Sequence, residues 1–257
     1  MKSNLIIGKN SFVGKSLSQT LKGTYVSYKD INDLNFKKYQ NVFLLSSPNI
    51  YKKKKIINFS FEKKILTKLS NQKLIFFSTS KIYPNFLNCT EGTDPNPQNF
   101  YAENKLKLEN IFNKEYQKLL IFRISNIFDV NNFNKNTFLG IMHKNFFKRK
   151  KIIFDISLNS VRDLISIKSI KKTINKIDKY SLIGTFNLGS QEGYKIKDII
   201  DFYFGKKLIS LTKIKDKNKI KSQTLSIKKI KKLIDISKYD FHNNTKIELK
   251  KCKKFFF

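Results

Sequence analysis

Residues 4–17 constrain the fold more than any other segment. The apolar run Asn4-Leu-Ile-Ile7 meets Gly8-Lys-Asn-Ser-Phe-Val-Gly14. A helical pattern then opens, with Phe12, Val13, Leu17 and Leu21 on one broad face. Strand, glycine turn and helix, in that order, is the setting a phosphate-binding loop requires. Gly8 permits a tight turn and Gly14 lets the helix pack close against the strand. Exposed N–H groups at the helix start, helped by the helix dipole, can hold a pyrophosphate. The spacing is G-x-x-S-x-x-G, with Ser11 where a middle glycine is expected. That glycine normally lets the backbone approach the phosphates. The Ser11 hydroxyl can donate a hydrogen bond instead.

A second strand is expected over Tyr25–Tyr28, followed by Lys29-Asp30. An acid at this point suits an adenosine ribose hydroxyl and a lysine suits a 2′-phosphate, so NAD and NADP both stay open. Asn41–Ser46 reads as a third strand. The connection before it is too short for a full crossover helix, so this region is trimmed.

Lys73–Ser80 (Lys-Leu-Ile-Phe-Phe-Ser-Thr-Ser) reads as a buried strand running into hydroxyl residues. In an open parallel sheet, ligands sit beyond the carboxyl ends of the strands. That places Ser78, Thr79 and Ser80 at such a crevice. A polar loop follows, and from Asn99 to about Lys118 the pattern is helical, with Leu108, Ile111, Phe112 and Tyr116 in phase. Tyr101 and Lys105 are four apart and share a face of this helix. A tyrosine hydroxyl ordinarily titrates near about 10. A neighbouring ammonium, and a cationic nicotinamide above it, favour the phenolate. Such a group can exchange a proton with a sugar or alcohol hydroxyl while hydride moves at the carbon.

The net charge of +33 invites a polyanionic partner. Yet of 52 basic residues only Arg123, Arg149 and Arg162 are arginines, Ala102 is the only alanine, and tryptophan is absent. This is the profile of AT-rich coding. Arginine, the residue specialised for bidentate phosphate and base contacts, is the one that is scarce. The runs Lys52–Lys55 and Lys250–Lys254 therefore read as solvated surface, and nucleic acid is not favoured as a partner. Apolar runs such as Leu74–Phe77 fall far short of the roughly 18 residues that span a bilayer. The apolar stretch near the N-terminus is too short for a signal-peptide core. Cys89 and Cys252 cannot build a disulfide scaffold or a four-ligand zinc site. No metal constellation or internal repeat is visible, and His143 and His242 carry no partner pattern. A soluble, cytoplasmic protein is the expectation.

Seven segments occur in an order that resembles the extended short-chain dehydrogenase/reductases of the NAD-dependent epimerase/dehydratase family. They are Gly8–Gly14, Ser78–Tyr83, the Thr90-Glu91 and Asn96-Pro97 loop, Tyr101–Lys105, Phe122–Asn126, Arg162–Ile165 and Gly184–Gly189. The resemblance covers most of the chain. It implies an α/β, Rossmann-type doubly wound parallel sheet with a small C-terminal substrate-binding lobe. The domains it implies are 1–190, with a substrate-lobe insertion near 130–160, and 191–257.

The same resemblance implies roles for single residues. The family's catalytic Ser or Thr precedes the terminal aromatic by four, which is Thr79. Tyr101 is the general acid/base, and Lys105 holds the nicotinamide ribose and lowers the Tyr101 pKa. NAD or NADP is contacted by Gly8, Asn10, Ser11, Phe12, Val13, Gly14, Lys29, Asp30, Ser46 and Lys105. A nucleotide-sugar substrate is contacted by Ser80 and Asn126, with Arg162 gripping the diphosphate. A homodimer is allowed.

Departures narrow the expected reaction. In the 4,6-dehydratases of the family an Asp-Glu pair follows the catalytic Thr; here Ser80 and Lys81 stand there. The GDP-fucose-synthase type places a Cys at the position of Lys81. Simple chemistry at one sugar carbon is left, either 4-ketoreduction or 4-epimerisation. The Gly8-Lys9-Asn10 start and the trimmed region tilt toward the dTDP-4-dehydrorhamnose-reductase side of the family. Asp129 and Ser169 replace a glycine and an aspartate common in the family. Two other readings stand beside this one: a non-catalytic relative that binds a dinucleotide, and a basic protein that binds nucleic acid or a membrane surface.

Overall fold

A computed structural model describes residues 3–19, 21–46, 48–131, 137–149, 152–177, 180–205, 212–234 and 241–252. The chain divides into two units. The first is formed by Met1–Pro84, Thr93–Ile124 and Lys171–Asn187, the second by Asn85–Gly92, Ser125–Ile170 and Leu188–Phe257.

The first unit is built on strands β1 (Asn4–Ile7), β2 (Thr24–Val26), β3 (Asn41–Leu44), β4 (Lys73–Thr79) and β5 (Leu119–Ile124). With β9 (Gly184–Leu188) they form a six-stranded sheet in the order β2-β1-β3-β4-β5-β9. The pairings from β2 through β5 are all parallel. Leu5, Ile7, Val42, Leu44, Leu74, Phe76, Leu119 and Ile121 share one core. It also takes Ile65 from helix α2 (Ser60–Lys68) and Leu108 and Phe112 from α3 (Phe100–Glu115). The alternate residues Ile6, Phe43, Ile75, Leu120 and Phe122 are equally buried. A parallel sheet covered on both faces produces this pattern, and near-continuous apolar strands are its signature. Each such side chain contributes about 1.5–3 kcal/mol on burial.

The chain leaves β1 to one side to form β2 and returns on the other side as β3. The crevice of such a sheet opens where the order reverses, beyond the carboxyl ends of β1 and β3. Only short turns at Tyr28–Asp30 and Phe36–Lys38 connect β2 to β3, as the trimmed spacing predicts. Both expected strands are shorter than their apolar runs. β2 ends at Val26 because the Ser27 hydroxyl accepts from the Lys29 N–H and starts a turn.

The second unit contains β6 (Asn126–Phe128), β8 (Val161–Ser166) and β10 (Gly193–Lys195) in the order β10-β8-β6, and a pair formed by β7 (Ile153–Phe154) and β11 (Lys213–Ile214). Phe128, Leu139, Met142, Leu164, Ile199, Ile200, Tyr203 and Leu249 form its core. They draw on α4 (Phe138–Arg149), α6 (Ile196–Phe204) and a last helix, Phe241–Cys252. Helix α5 (Ile167–Ile177) runs from this unit into the first, and a short α7 (Lys228–Leu233) precedes the last helix, α8. The unit is not confined to the stretch after 190 plus an insertion near 130–160. It also takes 85–92 and 160–170, because β8 pairs with β6 and β10 rather than with the six-stranded sheet. Among the described residues no helix is long and apolar enough to cross a membrane, and no group of His, Cys, Asp and Glu could hold a metal ion.

Candidate active site

Gly8 turns the chain out of β1 with φ +119°, a region that favours glycine. A Cβ there would lie 2.8 Å from the Ser46 nitrogen. The Gly8 and Lys9 amides both donate to the Val26 carbonyl, at 2.9 and 3.0 Å, which ties the turn to the end of β2. Helix α1 (Phe12–Leu17) then begins with Ser11 as its cap: the hydroxyl accepts from the Gly14 N–H at 2.9 Å. Ser11 is extended, at φ −69° and ψ 158°, so no glycine is needed there. Its hydroxyl hydrogen stays available to donate. Gly14 is a different case, because a Cβ would stand 2.2 Å from the Gly8 carbonyl oxygen. Gly14→Ala is expected to cost about 1–3 kcal/mol by overpacking, read as a lower urea midpoint.

Ser46 closes this corner. It is buried beyond the end of β3, and its hydroxyl has no hydrogen-bond partner among the described residues. Lys29 and Asp30 are exposed on the turn after β2, Asn10 is exposed, and Phe12 and Val13 are half-buried.

The second cluster is carried by α3. Asn99 caps the helix by accepting from the Ala102 N–H at 3.0 Å, which sets Tyr101 in its first turn. Tyr101 is half-buried. Lys105 is 1% exposed; its Nζ donates to the Phe77 carbonyl at 2.8 Å and lies 4.4 Å from the Phe76 ring centroid and 6.0 Å from that of Tyr101. Burial pulls its pKa down to about 8, while Glu62 and Glu109 hold it up. Thr79 ends β4 two residues beyond Phe77. Its Oγ1 accepts from the Lys81 N–H at 3.3 Å and so caps the turn Ser80–Ile82, which packs on α3. Ser80 is buried there. The structure thus brings Tyr101 and Lys105 together and stations the Thr79 turn against their helix.

A buried polar network backs this cluster. The Ser78 hydroxyl donates to Glu109. Arg123 holds Glu109 Oε2 through Nε at 3.0 Å and Nη2 at 2.7 Å, and its Nη1 donates to the Tyr83 oxygen at 2.8 Å. The Tyr83 hydroxyl donates in turn to Asn187 at 2.8 Å. Three of the seven segments are therefore joined by one chain of hydrogen bonds.

In the second unit, Asn126 donates to the Asp163 carbonyl at 2.9 Å. Arg162 Nη1 donates to the carbonyls of Lys221 and Val161, one nitrogen of a group with five donors. Burial lowers the Arg162 pKa, and Asp155 opposes the fall. The Asp163 carboxylate accepts from Ser190 N at 2.8 Å, Ser190 Oγ at 2.9 Å and Leu225 N at 3.0 Å. A Cβ on Gly189 would meet its Oδ2 at 2.4 Å, so the Arg162–Ile165 and Gly184–Gly189 segments are fastened through Asp163.

Burial pushes the Asp163 carboxyl up to about 6 against these donors. Because the folded pKa exceeds the unfolded one, the folded state holds the proton more tightly. This site's contribution to stability therefore falls as pH rises from about 4 to about 6. The size is about 3 kcal/mol at 1.36 kcal/mol per pKa unit. Urea midpoints at pH 4 and pH 6.5 should show that slope in the wild type relative to Asp163→Asn, which lacks the titration.

Two kinds of comparison relate this geometry to known proteins. Residues 49–156 match the family model described as RmlD substrate binding domain. RMD from Pseudomonas aeruginosa, solved with NADPH, superposes with a TM-score of 0.76 at 13% identity, covering 100% of this chain and 99% of its own. A UDP-N-acetylglucosamine 4-epimerase from Methanobrevibacter ruminantium M1, in complex with UDP-N-acetylmuramic acid, gives 0.75 at 18%, covering 99% and 98%. A dTDP-glucose 4,6-dehydratase from Bacillus anthracis, in complex with NAD, gives 0.76 at 16%, covering 100% and 96%. The chain has the extended short-chain dehydrogenase/reductase fold. Among curated proteins, none matches its sequence.

The residues at the crevice of this extended short-chain dehydrogenase/reductase fold fit a dinucleotide. The Ser46 hydroxyl beside Gly8, buried with no partner among the described residues, is open to a bound group. The Ser11 hydrogen and the Lys105 ammonium, with one of three donors engaged by the chain, add further polar contacts. A separate cavity of about 220 Å³, between Asn4, Leu21, Asn41, Phe43 and α5, lies at the amino ends of β1 and β3 and has no ionisable lining. Sequence reasoning assigned no role to Glu109, Arg123, Asn187 or Glu62. One signal was present: Glu109 is four residues after Lys105 on the same helical face, and a buried arginine in an apolar strand needs an acid.

Proposed function

We propose that the chain is an NAD(P)-dependent oxidoreductase or epimerase acting on a nucleotide-linked sugar at one carbon, by 4-ketoreduction or 4-epimerisation. The observation that carries this reading is the Tyr101–Lys105 pair, one helical turn apart, with a fully buried ammonium 6.0 Å from the phenol ring centroid. A bound nicotinamide cofactor would supply hydride transfer. Tyr101 would exchange the proton at the sugar hydroxyl or ketone, and Thr79 would hydrogen-bond that same oxygen. Lys105 would hold the ribose and favour the Tyr101 phenolate by its charge. Gly8, Ser11, Gly14 and Ser46 would seat the phosphates and the adjoining nucleotide, with Lys29 and Asp30 near the adenosine ribose. Asn126, Ser80 and Arg162 would hold the substrate. Ser80 and Lys81 after Thr79 favour one-carbon chemistry over 4,6-dehydration, since neither can act as the acid/base pair that removes water. The NAD- and NADPH-bound structures of the same fold support the cofactor class.

The test is a panel of nucleotide sugars and their 4-keto forms with NADH and NADPH, read by nicotinamide absorbance and product identity. Cofactor consumption by a 4-keto sugar, or interconversion of C4 epimers, is expected. Reduced-nicotinamide binding without turnover on any member would replace this reading with that of a non-catalytic dinucleotide-binding relative.

A further inference from the structure

Thr79 starts a turn, and a turn is placed by what holds its two ends. At the near end, two residues of β4 are tied to α3. The Phe77 carbonyl accepts from Lys105 Nζ at 2.8 Å, and the Ser78 hydroxyl donates to Glu109 Oε1. Lys105 and Glu109 are four apart, so one stripe of the helix takes both. At the far end, Tyr83 closes the turn, its N–H donating to the Ser80 carbonyl at 3.0 Å. Tyr83 is 1% exposed, and its hydroxyl accepts from Arg123 Nη1 and donates to Asn187, each at 2.8 Å. Arg123 in turn grips Glu109 Oε2 through Nε at 3.0 Å and Nη2 at 2.7 Å. Glu109 therefore holds both ends of the segment 78–83, Ser78 directly and Tyr83 through Arg123.

We propose that Tyr83 is a positioning residue: its hydroxyl, fixed between Arg123 and Asn187, locks the far end of the turn and so keeps the Thr79 hydroxyl in one orientation. This rests on the reading of Thr79 as the group that hydrogen-bonds the reacting sugar oxygen.

The contacts separate this role from packing. A phenylalanine fills an aromatic slot without a hydroxyl, whereas a buried phenol oxygen must be matched. Here it is matched by side chains of β5 and β9, the two strands that follow β4 in the sheet. The bond from Arg123 is charge-assisted and so among the stronger kind. Thr79 depends on the turn it starts, since its Oγ1 accepts from the Lys81 N–H at 3.3 Å, a long bond that follows the backbone of Ser80–Ile82. The backbone bonds of the turn, Tyr83 N to the Ser80 carbonyl and Asn96 N to the Ile82 carbonyl at 2.7 Å, do not use the phenol oxygen. Tyr83→Phe thus keeps the turn and removes the tie.

The first test is methyl NMR of the full chain without ligand, using threonine labelled in its methyl carbon, with Thr79→Ser identifying the Thr79 signal. The three-bond coupling from that methyl to the backbone nitrogen reports the rotamer. It should show one rotamer in wild type and an average of rotamers in Tyr83→Phe, while Thr67 on α2 does not change. An unaveraged coupling in Tyr83→Phe overturns the proposal. Should Tyr83→Phe fail to fold, Ser78→Ala, which frees the near end, carries the same test, and an unaveraged coupling overturns it.

The second test is turnover of the active nucleotide sugar. Tyr83→Phe should lower kcat roughly tenfold or more, the usual result of misplacing a reacting contact. KM should stay within about twofold, because substrate binding is not the part removed. In a Thr79→Ala background the same substitution should lower kcat no further, as nothing is left to orient. A fall that persists there, or averaging with undiminished kcat, overturns the proposal and leaves Tyr83 a structural role. Averaging in Tyr83→Phe with no turnover by wild type on any member of the panel overturns the enzyme reading and keeps Tyr83 as the residue that orders Thr79.

Discussion

Tyr101→Phe is expected to lower turnover on the active nucleotide sugar by about 10²–10⁴-fold, the usual contribution of a positioned general acid/base. Folding should be unaffected. The phenol is half-buried in the first turn of α3, and the Asn99 cap holds that turn. Phenylalanine keeps the ring that packs against the core of the first unit. The loss should fall on kcat, because in the proposed mechanism the missing oxygen handles a proton and other residues hold the substrate. Cofactor affinity, measured by reduced-nicotinamide fluorescence, should change by less than threefold, within the small uniform-binding loss expected of a residue that does not hold the cofactor. Unchanged turnover in a folded Tyr101→Phe protein would remove the assigned chemistry altogether.

Arg123→Met should bring the largest loss of stability, about 3–5 kcal/mol. Its guanidinium lies in β5, holds the 1%-exposed Glu109 through two nitrogens and orients Tyr83 toward Asn187. Methionine fills similar volume but leaves Glu109 as a buried charge opposed only by the Ser78 hydroxyl and Lys105. Urea denaturation of the single variant checks the loss. Removing both charges, as Glu109→Leu with Arg123→Met, should recover part of it, since replacing a buried pair with apolar groups is often near neutral. Additive single losses would show that the pair is not coupled.

The first sheet and its crevice could be read from local pattern. An apolar run, a glycine with positive φ and a helix that admits no side chain at Gly14 lie within eleven residues, so their physics is short-range. The same holds for Tyr101 and Lys105, which one helical turn brings together. Ser11 was legible in type but not in use: a serine at a helix start can point to a ligand or cap the helix, and here it caps.

Other features required the chain to close on itself. Tyr83 and Asn187 are 104 residues apart, and Asn104 reaches Tyr51 across 53. β8 is apolar enough for either sheet, and it joined β6 and β10. Hydrophobic period and turn chemistry act over a few residues, so the sequence alone settled the first strand with its glycine turn and helix, the strand before Ser80 and the helix that carries Tyr101 and Lys105. Which residues share the Arg123 network and which strands make the second unit are choices among many chemically equivalent partners. Only packing in three dimensions selects among them, because a buried charge or hydroxyl takes whichever partner the folded backbone brings within hydrogen-bond reach.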